Sequence, residues 1–164
     1  MTSTIQGCIL ALLTLCLMAC GQVEHHQNVG ALEVSVPWSR AIPPGARVAA
    51  GFVTIRNRGD VDDRLIEVRS AAADRVEIHE IRHEDGVARM RQLKDGLRLP
   101  AGDTVALKPG GYHLMFITPR DGFVASGQVI ATLVFEKAGS LDVVFDVRPL
   151  AAAEASGNSD HAHH

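Results

Sequence analysis

The sequence predicts an all-β fold, a sandwich or a barrel of many short strands, and three observations support this prediction. Short runs rich in β-branched and other apolar residues recur along most of the chain. Tight-turn signals built from Gly, Pro, Asn and Asp separate most of these runs. No segment of this region has a long amphipathic helical period. Many short strands at such spacing are typical of two packed antiparallel sheets.

Nine strands are expected, and turn signals mark most of the boundaries between them. The expected strands cover residues 32–36, 48–56, 64–69, 75–82, 87–93, 104–107, 112–118, 128–136 and 141–147. The turn signals, in chain order, are Pro43-Pro44-Gly45, Asn57-Arg58-Gly59-Asp60, Asp85-Gly86, Asp95-Gly96, Pro109-Gly110-Gly111 and Ala138-Gly139. The first two signals follow the first two strands, the third joins the fourth strand to the fifth, and the last precedes the ninth.

Asp85-Gly86 is a strong signal for a two-residue hairpin. The resulting register pairs Glu84 with Val87, Ile81 with Met90, and His79 with Gln92. Met90 then lies diagonal to His79 on one face, within reach of a long side chain.

The segment around residue 114 shows the same alternation. His113 and Met115 are two residues apart on an expected strand, so they share a face. Leu114 and Phe116 take the opposite face, which we expect to pack into the core, as we expect for Val76 and Ile78 on the first strand of the hairpin.

These four residues form a chemically distinctive set. Of four methionines, Met1 and Met18 lie in the N-terminal segment, and Met90 and Met115 both lie within the His/Met pattern. A thioether is a soft, neutral donor, and two thioethers with two imidazoles suit Cu(I) in roughly tetrahedral coordination. Taken singly, each residue also has a structural interpretation: Met115 could fill a gap in the core, and His113 could be a hydrogen-bonded histidine at its rim.

The ends of the chain are expected to lie outside the folded domain. Residues 1–19 resemble a signal peptide, with an apolar run over residues 9–18 that is too short to span a bilayer. Ala19 before Cys20 resembles a lipoprotein processing site, which would make Cys20 the lipid anchor of a periplasmic protein; simple cleavage to a soluble protein is the alternative. We expect a flexible tether over residues 20–31, a β domain over 32–149 and a disordered tail over 150–164.

Composition narrows the functional classes. A net charge of -3 argues against nucleic-acid binding. All three cysteines, Cys8, Cys16 and Cys20, lie in the N-terminal segment, so the domain has no disulfide and no thiolate ligand. In an oxidising compartment, methionine and histidine ligands also avoid the disulfide formation that threatens paired cysteines.

The chain has a specific resemblance to a known protein family. The segments that carry it are Val76-Glu77-Ile78-His79-Glu80, Glu84-Asp85-Gly86-Val87, Met90-Arg91 and Lys108-Pro109-Gly110-Gly111-Tyr112-His113-Leu114-Met115. They resemble the periplasmic copper chaperone family PCu(A)C, whose pattern is a His, a Met and then His-x-Met. Here ten residues separate His79 from Met90, and twenty-two residues separate Met90 from His113. The second gap is one residue longer than usual in the family.

The resemblance implies a cupredoxin-like Greek-key β-sandwich, and we expect the protein to be a monomer. The resemblance also implies Cu(I) ligands at His79, Met90, His113 and Met115, and delivery to an acceptor such as the CuA site of cytochrome c oxidase or another copper chaperone. Ile81, His83 and Ala88 stand where some family members carry further methionines, so an auxiliary methionine site is not expected.

Some histidines outside the four-residue set are candidate secondary ligands. His83 lies near the hairpin turn, where a solvated role is the alternative. His161, His163 and His164 end the chain and could gather Cu(II). A weak, non-selective tail without a specific role is the competing interpretation.

A different motif overlaps the first histidine. His79-Glu80-Ile81-Arg82-His83 matches the H-E-x-x-H pattern of zinc peptidases, which requires a helix so that both histidines meet one metal. The β-rich surroundings argue against that helix, and no enzymatic activity is expected. Two other functions stay open: copper sequestration for tolerance, and a metal-independent β-sandwich interaction module.

Overall fold

The computed structural model describes residues 26–150, and all regular elements between Gln27 and Arg148 are β-strands. They are β1 (Gln27–Val29), β2 (Leu32–Arg40), β3 (Val48–Asn57), β4 (Asp63–Arg69), β5 (Ala73–Glu84), β6 (Val87–Gln92), β7 (Leu97–Leu99), β8 (Thr104–Leu107), β9 (His113–Pro119), β10 (Gln128–Phe135) and β11 (Gly139–Arg148). The all-β prediction is confirmed, and the fold is cupredoxin-like.

The strands form one continuous hydrogen-bonded path in the order β6-β5-β9-β3-β2-β11-β10-β4-β7, with β1 paired to β2 and β8 paired to β3. All pairings are antiparallel except that of β11 with β2. Strands far apart in sequence are therefore neighbours in the sheet, and β5 lies between β6 and β9.

The larger of two buried hydrophobic clusters joins the two halves of this path. Phe116 of β9 and Phe145 of β11 are fully buried, with ring centroids 6.0 Å apart in an edge-to-face arrangement. Leu114 is also fully buried and Ile78 nearly so, as their alternation along the strands predicts. The inward faces of β5 and β9 are thus fixed by apolar burial, and the opposite faces of both strands turn away from this core.

Two short strands were not expected from the sequence. Gln27–Val29 form β1 against β2, although a tether was expected up to residue 31. Leu97–Leu99 form β7 against β4. The ordered domain therefore begins before Leu32, and polar side chains at Gln27 and Asn28 concealed this from a prediction based on apolar alternation.

The first expected strand also continues beyond Val36. The register of β2 against β3 shifts between Ser35 and Trp38, and Val36 has a positive φ of 49°. This irregularity accommodates Pro37, which has no N–H to donate, and lets the strand resume pairing at Trp38.

No helix within residues 26–150 is long and apolar enough to cross a membrane. The expected signal peptide, Cys20, and the tail histidines His161, His163 and His164 lie outside the described residues.

Candidate metal site

The four candidate ligands lie on three adjacent strands and on one face of the sheet. The hairpin register is the predicted one, with Ile81 opposite Met90 and His79 opposite Gln92. On the other side of β5, His79 is directly opposite His113, and Glu77 is opposite Met115. Because paired residues in antiparallel strands point to the same face, both histidines and both methionines face away from the core.

The two imidazoles are close neighbours. Their ring centroids are 5.8 Å apart, and the ring planes are inclined by 43°. Met115 follows His113 by two residues on β9, and Met90 is at the diagonal position from His79 on β6. Side chains at opposite and diagonal positions of neighbouring strands are within reach of each other, so each histidine has a methionine neighbour on this face.

The four side chains differ in exposure. His113 is buried, at 6% exposed, while His79 and Met115 are partly buried. Met90 is 53% exposed on the edge strand β6. The candidate site therefore has one buried wall and one open side.

His113 is held in a defined orientation by the backbone. Its Nδ1 lies 3.0 Å from the carbonyl oxygen of Gly111, which also accepts a hydrogen bond from the Ile81 N–H. A carbonyl can only accept, so Nδ1 of His113 carries the proton. Burial lowers the pKa of His113, and the nearby His79 lowers it further, while the Gly111 hydrogen bond acts in the opposite direction.

His79 is held by a side chain instead. Its Nε2 lies 2.9 Å from an Oε2 of Glu77, and the other oxygen of that carboxylate accepts a hydrogen bond of 2.7 Å from Nε of Arg75. The hydrogen bond from His79 and then that from Arg75 lower the pKa of Glu77. Nδ1 of His79 is buried and has no hydrogen-bond partner among the described residues.

The unpaired Nδ1 of His79 is the atom that tests whether these four residues fit a metal ion. Buried polar atoms are nearly always paired, so an unpaired nitrogen on an imidazole whose ring centroid is 5.8 Å from that of His113 needs an explanation. A metal ion would supply the missing partner. Within residues 26–150 no group of three or more His, Cys, Asp or Glu side chains is arranged to bind a metal.

The H-E-x-x-H motif cannot form a peptidase site in this structure. It lies in β5, where His79 and His83 are separated by about 13 Å at roughly 3.3 Å per residue. Glu80 points to the opposite face, where it is buried and paired with Arg82 and Arg91. Burial would raise the pKa of Glu80, but its hydrogen bonds with these arginines outweigh burial and lower it.

His83 remains a candidate secondary ligand. It is exposed, on the same face as Met90, and is opposite Ala88 in the hairpin register. Its position is diagonal to Met90 and nearer the turn than His79.

The sequence interpretation missed two features of this face. One is Glu77, which the sequence could have revealed, because it precedes His79 by two residues on the same strand and so shares its face.

The other is an aromatic pair, Trp38 and Phe52. Their ring centroids are 4.4 Å apart, and the Arg148 guanidinium lies 4.8 Å from the Trp38 ring. This pair packs with Ala50, which is opposite Met115 in the register. An apolar wall therefore flanks the candidate site.

The fold, with its His/Met face, defines the class of protein as a PCuAC-type, cupredoxin-like β domain. The family model described as "Putative lipoprotein LpqE-like" matches residues 32–147, and the chain belongs to this family. The protein "Putative lipoprotein Lxx21020" of Leifsonia xyli subsp. xyli is 30% identical over 154 residues, which cover 92% of this chain and 91% of that protein.

Solved structures share the same architecture. The copper-bound PCuAC domain from PmoF2 has a TM-score of 0.64 and 30% identity, covering 76% of this chain and 98% of that one. The apo PCuAC domain from PmoF1 has a TM-score of 0.65 and 27% identity, covering 76% and 99%. Cu(I)-DR1885 from Deinococcus radiodurans, at 23% identity and a TM-score of 0.59, covers 76% and 80% and resembles this chain in fold alone.

Proposed function

We propose that this protein is an exported copper chaperone that binds one Cu(I) ion through His79, Met90, His113 and Met115. The observation that carries the proposal is the direct pairing of His79 with His113 across β5 and β9, with a methionine beside each on the same face. A neutral set of two imidazoles and two thioethers suits a soft monovalent ion. The likeness to a copper-bound PCuAC domain supports the same conclusion.

The cargo would be released by ligand exchange rather than by enzymatic turnover. Thioethers are neutral donors, and Met90 lies on the open side of the site. An acceptor that offers thiolates can replace Met90 first and then draw the ion from the more buried ligands. We propose the CuA site of cytochrome c oxidase, or another copper chaperone that serves it, as the acceptor.

Two further proposals concern the ends of the chain. Family membership and the lipoprotein relative support export and lipidation at Cys20, which would keep the domain at the outer surface of a membrane in the periplasm. A weaker Cu(II) site would be formed by His161, His163 and His164, since imidazoles bind Cu(II) more tightly than they bind other common divalent ions.

His83, near the hairpin turn, would supply a secondary ligand only when copper is in excess.

The copper site is tested by replacing Met90 and Met115 together with leucine. Leucine is similar in volume, so we expect the fold to persist while tight Cu(I) binding is lost. Competition with a chromogenic Cu(I) chelator measures the affinity, and circular dichroism monitors the fold. A double variant that binds Cu(I) with unchanged affinity would refute the site, and a wild-type protein that binds no Cu(I) would favour a metal-independent interaction module.

Delivery and sequestration make opposite predictions for a deletion strain. A chaperone is needed when copper is scarce, so we expect low cytochrome c oxidase activity that copper supplementation restores. Sequestration instead predicts normal oxidase activity and poor growth in excess copper. The second pattern would replace delivery by tolerance while leaving the site itself in place.

A further inference from the structure

The two histidines of the candidate site are held by different nitrogens. The Glu77 carboxylate contacts Nε2 of His79, whereas the Gly111 carbonyl contacts Nδ1 of His113. The nitrogen left with a lone pair is therefore Nδ1 in His79 and Nε2 in His113. A histidine that binds a metal usually donates its other N–H to a carboxylate or a carbonyl, and that contact fixes its tautomer.

We propose that Glu77 is a positioning residue that makes His79 bind copper through Nδ1, while His113 binds through Nε2. This inference rests on the proposed function, since it concerns the same four ligands. It accounts for the buried, unpartnered Nδ1 of His79, which is the atom that the Glu77 contact leaves unprotonated.

Arg75 would hold Glu77 in place for this role. Its Nε donates to the carboxylate oxygen that His79 does not use, and Arg75, Glu77 and His79 succeed one another on one face of β5. Glu77 is also opposite Met115 in the register with β9. The carboxylate thus lies between two candidate ligands without being counted among the four donors.

The alternative tautomer is disfavoured by the same contacts. Protonation of His79 at Nδ1 would place a buried N–H donor where no acceptor is found among the described residues. It would also leave the Nε2 lone pair facing a carboxylate oxygen. Both arrangements are unfavourable, because buried donors need acceptors and two lone pairs repel.

The first test uses long-range ¹H–¹⁵N correlation spectra of the metal-free wild-type protein. We expect His79 to be the Nε2–H tautomer and His113 the Nδ1–H tautomer. Addition of Cu(I) should then shift Nδ1 of His79 and Nε2 of His113. A metal-free Nδ1–H tautomer at His79, or a copper-induced shift at its Nε2, would overturn the inference.

The second test removes the carboxylate. Glu77→Ala should mix the two tautomers of His79 in the metal-free protein and weaken Cu(I) binding by about 10- to 100-fold, the usual effect of losing such a partner. Glu77→Gln keeps an acceptor at the same distance, so it should cost less affinity than Glu77→Ala. If Glu77→Ala fails to fold, the spectra of the metal-free wild-type protein still decide, since an Nδ1–H tautomer at His79 contradicts the role of Glu77.

A matched control is available on β4. Glu67 also pairs with an arginine two residues away on the same strand, Arg69, and this pair is exposed. Glu67→Ala should leave the His79 tautomer and Cu(I) affinity unchanged. If the wild type shows the expected tautomers but binds no Cu(I), the proposed function fails while the contact is confirmed, so the two failures are distinguishable.

Discussion

The exposure of the individual candidate ligands indicates how copper would enter and leave the proposed site. His113 is buried beside the core-facing Leu114 and Phe116, whereas Met90 lies half exposed on the edge strand. An acceptor protein can approach Met90 without any movement of the core. Ligand exchange would therefore begin at the thioether of Met90 and end at the imidazole of His113.

The protonation state of the His113 imidazole would also favour copper binding. Burial lowers its pKa, and His79 nearby lowers it further, so the neutral imidazole is favoured at pH 7. A neutral imidazole has the lone pair that a metal requires, and it costs less to bury than an imidazolium. His113 is therefore ready to bind without first releasing a proton at neutral pH.

The β5–β6 hairpin is the element that brings Met90 to the histidines. Its turn residues, Asp85 and Gly86, have φ values of 51° and 78°, as a type I′ turn requires. On the face away from the candidate site, Glu80 of β5 joins the two strands through an ion pair with Arg91 of β6, and it also pairs with Arg82 on its own strand. This ion pair supports the register at the end of the hairpin away from the turn, although all six residues of β6 are exposed.

Gly86→Ala tests the dependence of the site on this turn. A Cβ at φ 78° is strained, so we expect a loss of about 1 kcal/mol in the free energy of unfolding and a several-fold weaker Cu(I) affinity. Gly45→Ala is the matched control, because Gly45 has a φ of 80° and, like Gly86, open space where a Cβ would lie, but it is located between β2 and β3. Chemical denaturation and chelator competition measure both variants; equal losses of Cu(I) affinity would contradict a specific role for the hairpin turn.

Local patterns were sufficient for this hairpin but not for the complete site. The Asp85-Gly86 turn and the two-residue alternation together predict which residues are opposite one another in β5 and β6, and the structure has that register. The pairing of β5 with β9 depends on contacts between distant segments, and no local pattern encodes it. Each of the two His/Met pairs could therefore be predicted from the sequence separately. The position of His79 opposite His113 could not, because it depends on the fold.

At the scale of the whole domain, copper binding at the candidate site depends on the native fold. β5 and β9 each present one face to the buried cluster and the other face to the candidate ligands. Unfolding separates the two strands, so the four donors can come together only in the folded chain. Copper that binds this set must therefore bind the native state in preference to the unfolded state, and it must raise the free energy of unfolding.

The thermal midpoint of unfolding should report this linkage. With free Cu(I) at about 100 times the dissociation constant, binding to the native state adds about 2.7 kcal/mol to the free energy of unfolding. For a domain of this size that corresponds to an increase in Tm of about 10 °C. Calorimetry under reducing conditions, with Cu(I) buffered by a chelator, measures the increase, and the double Met90→Leu, Met115→Leu variant should lack it. An equal increase in that variant would mean that copper stabilises the fold from another position, because its two thioethers are gone while the buried core that links β5 to β9 is unchanged.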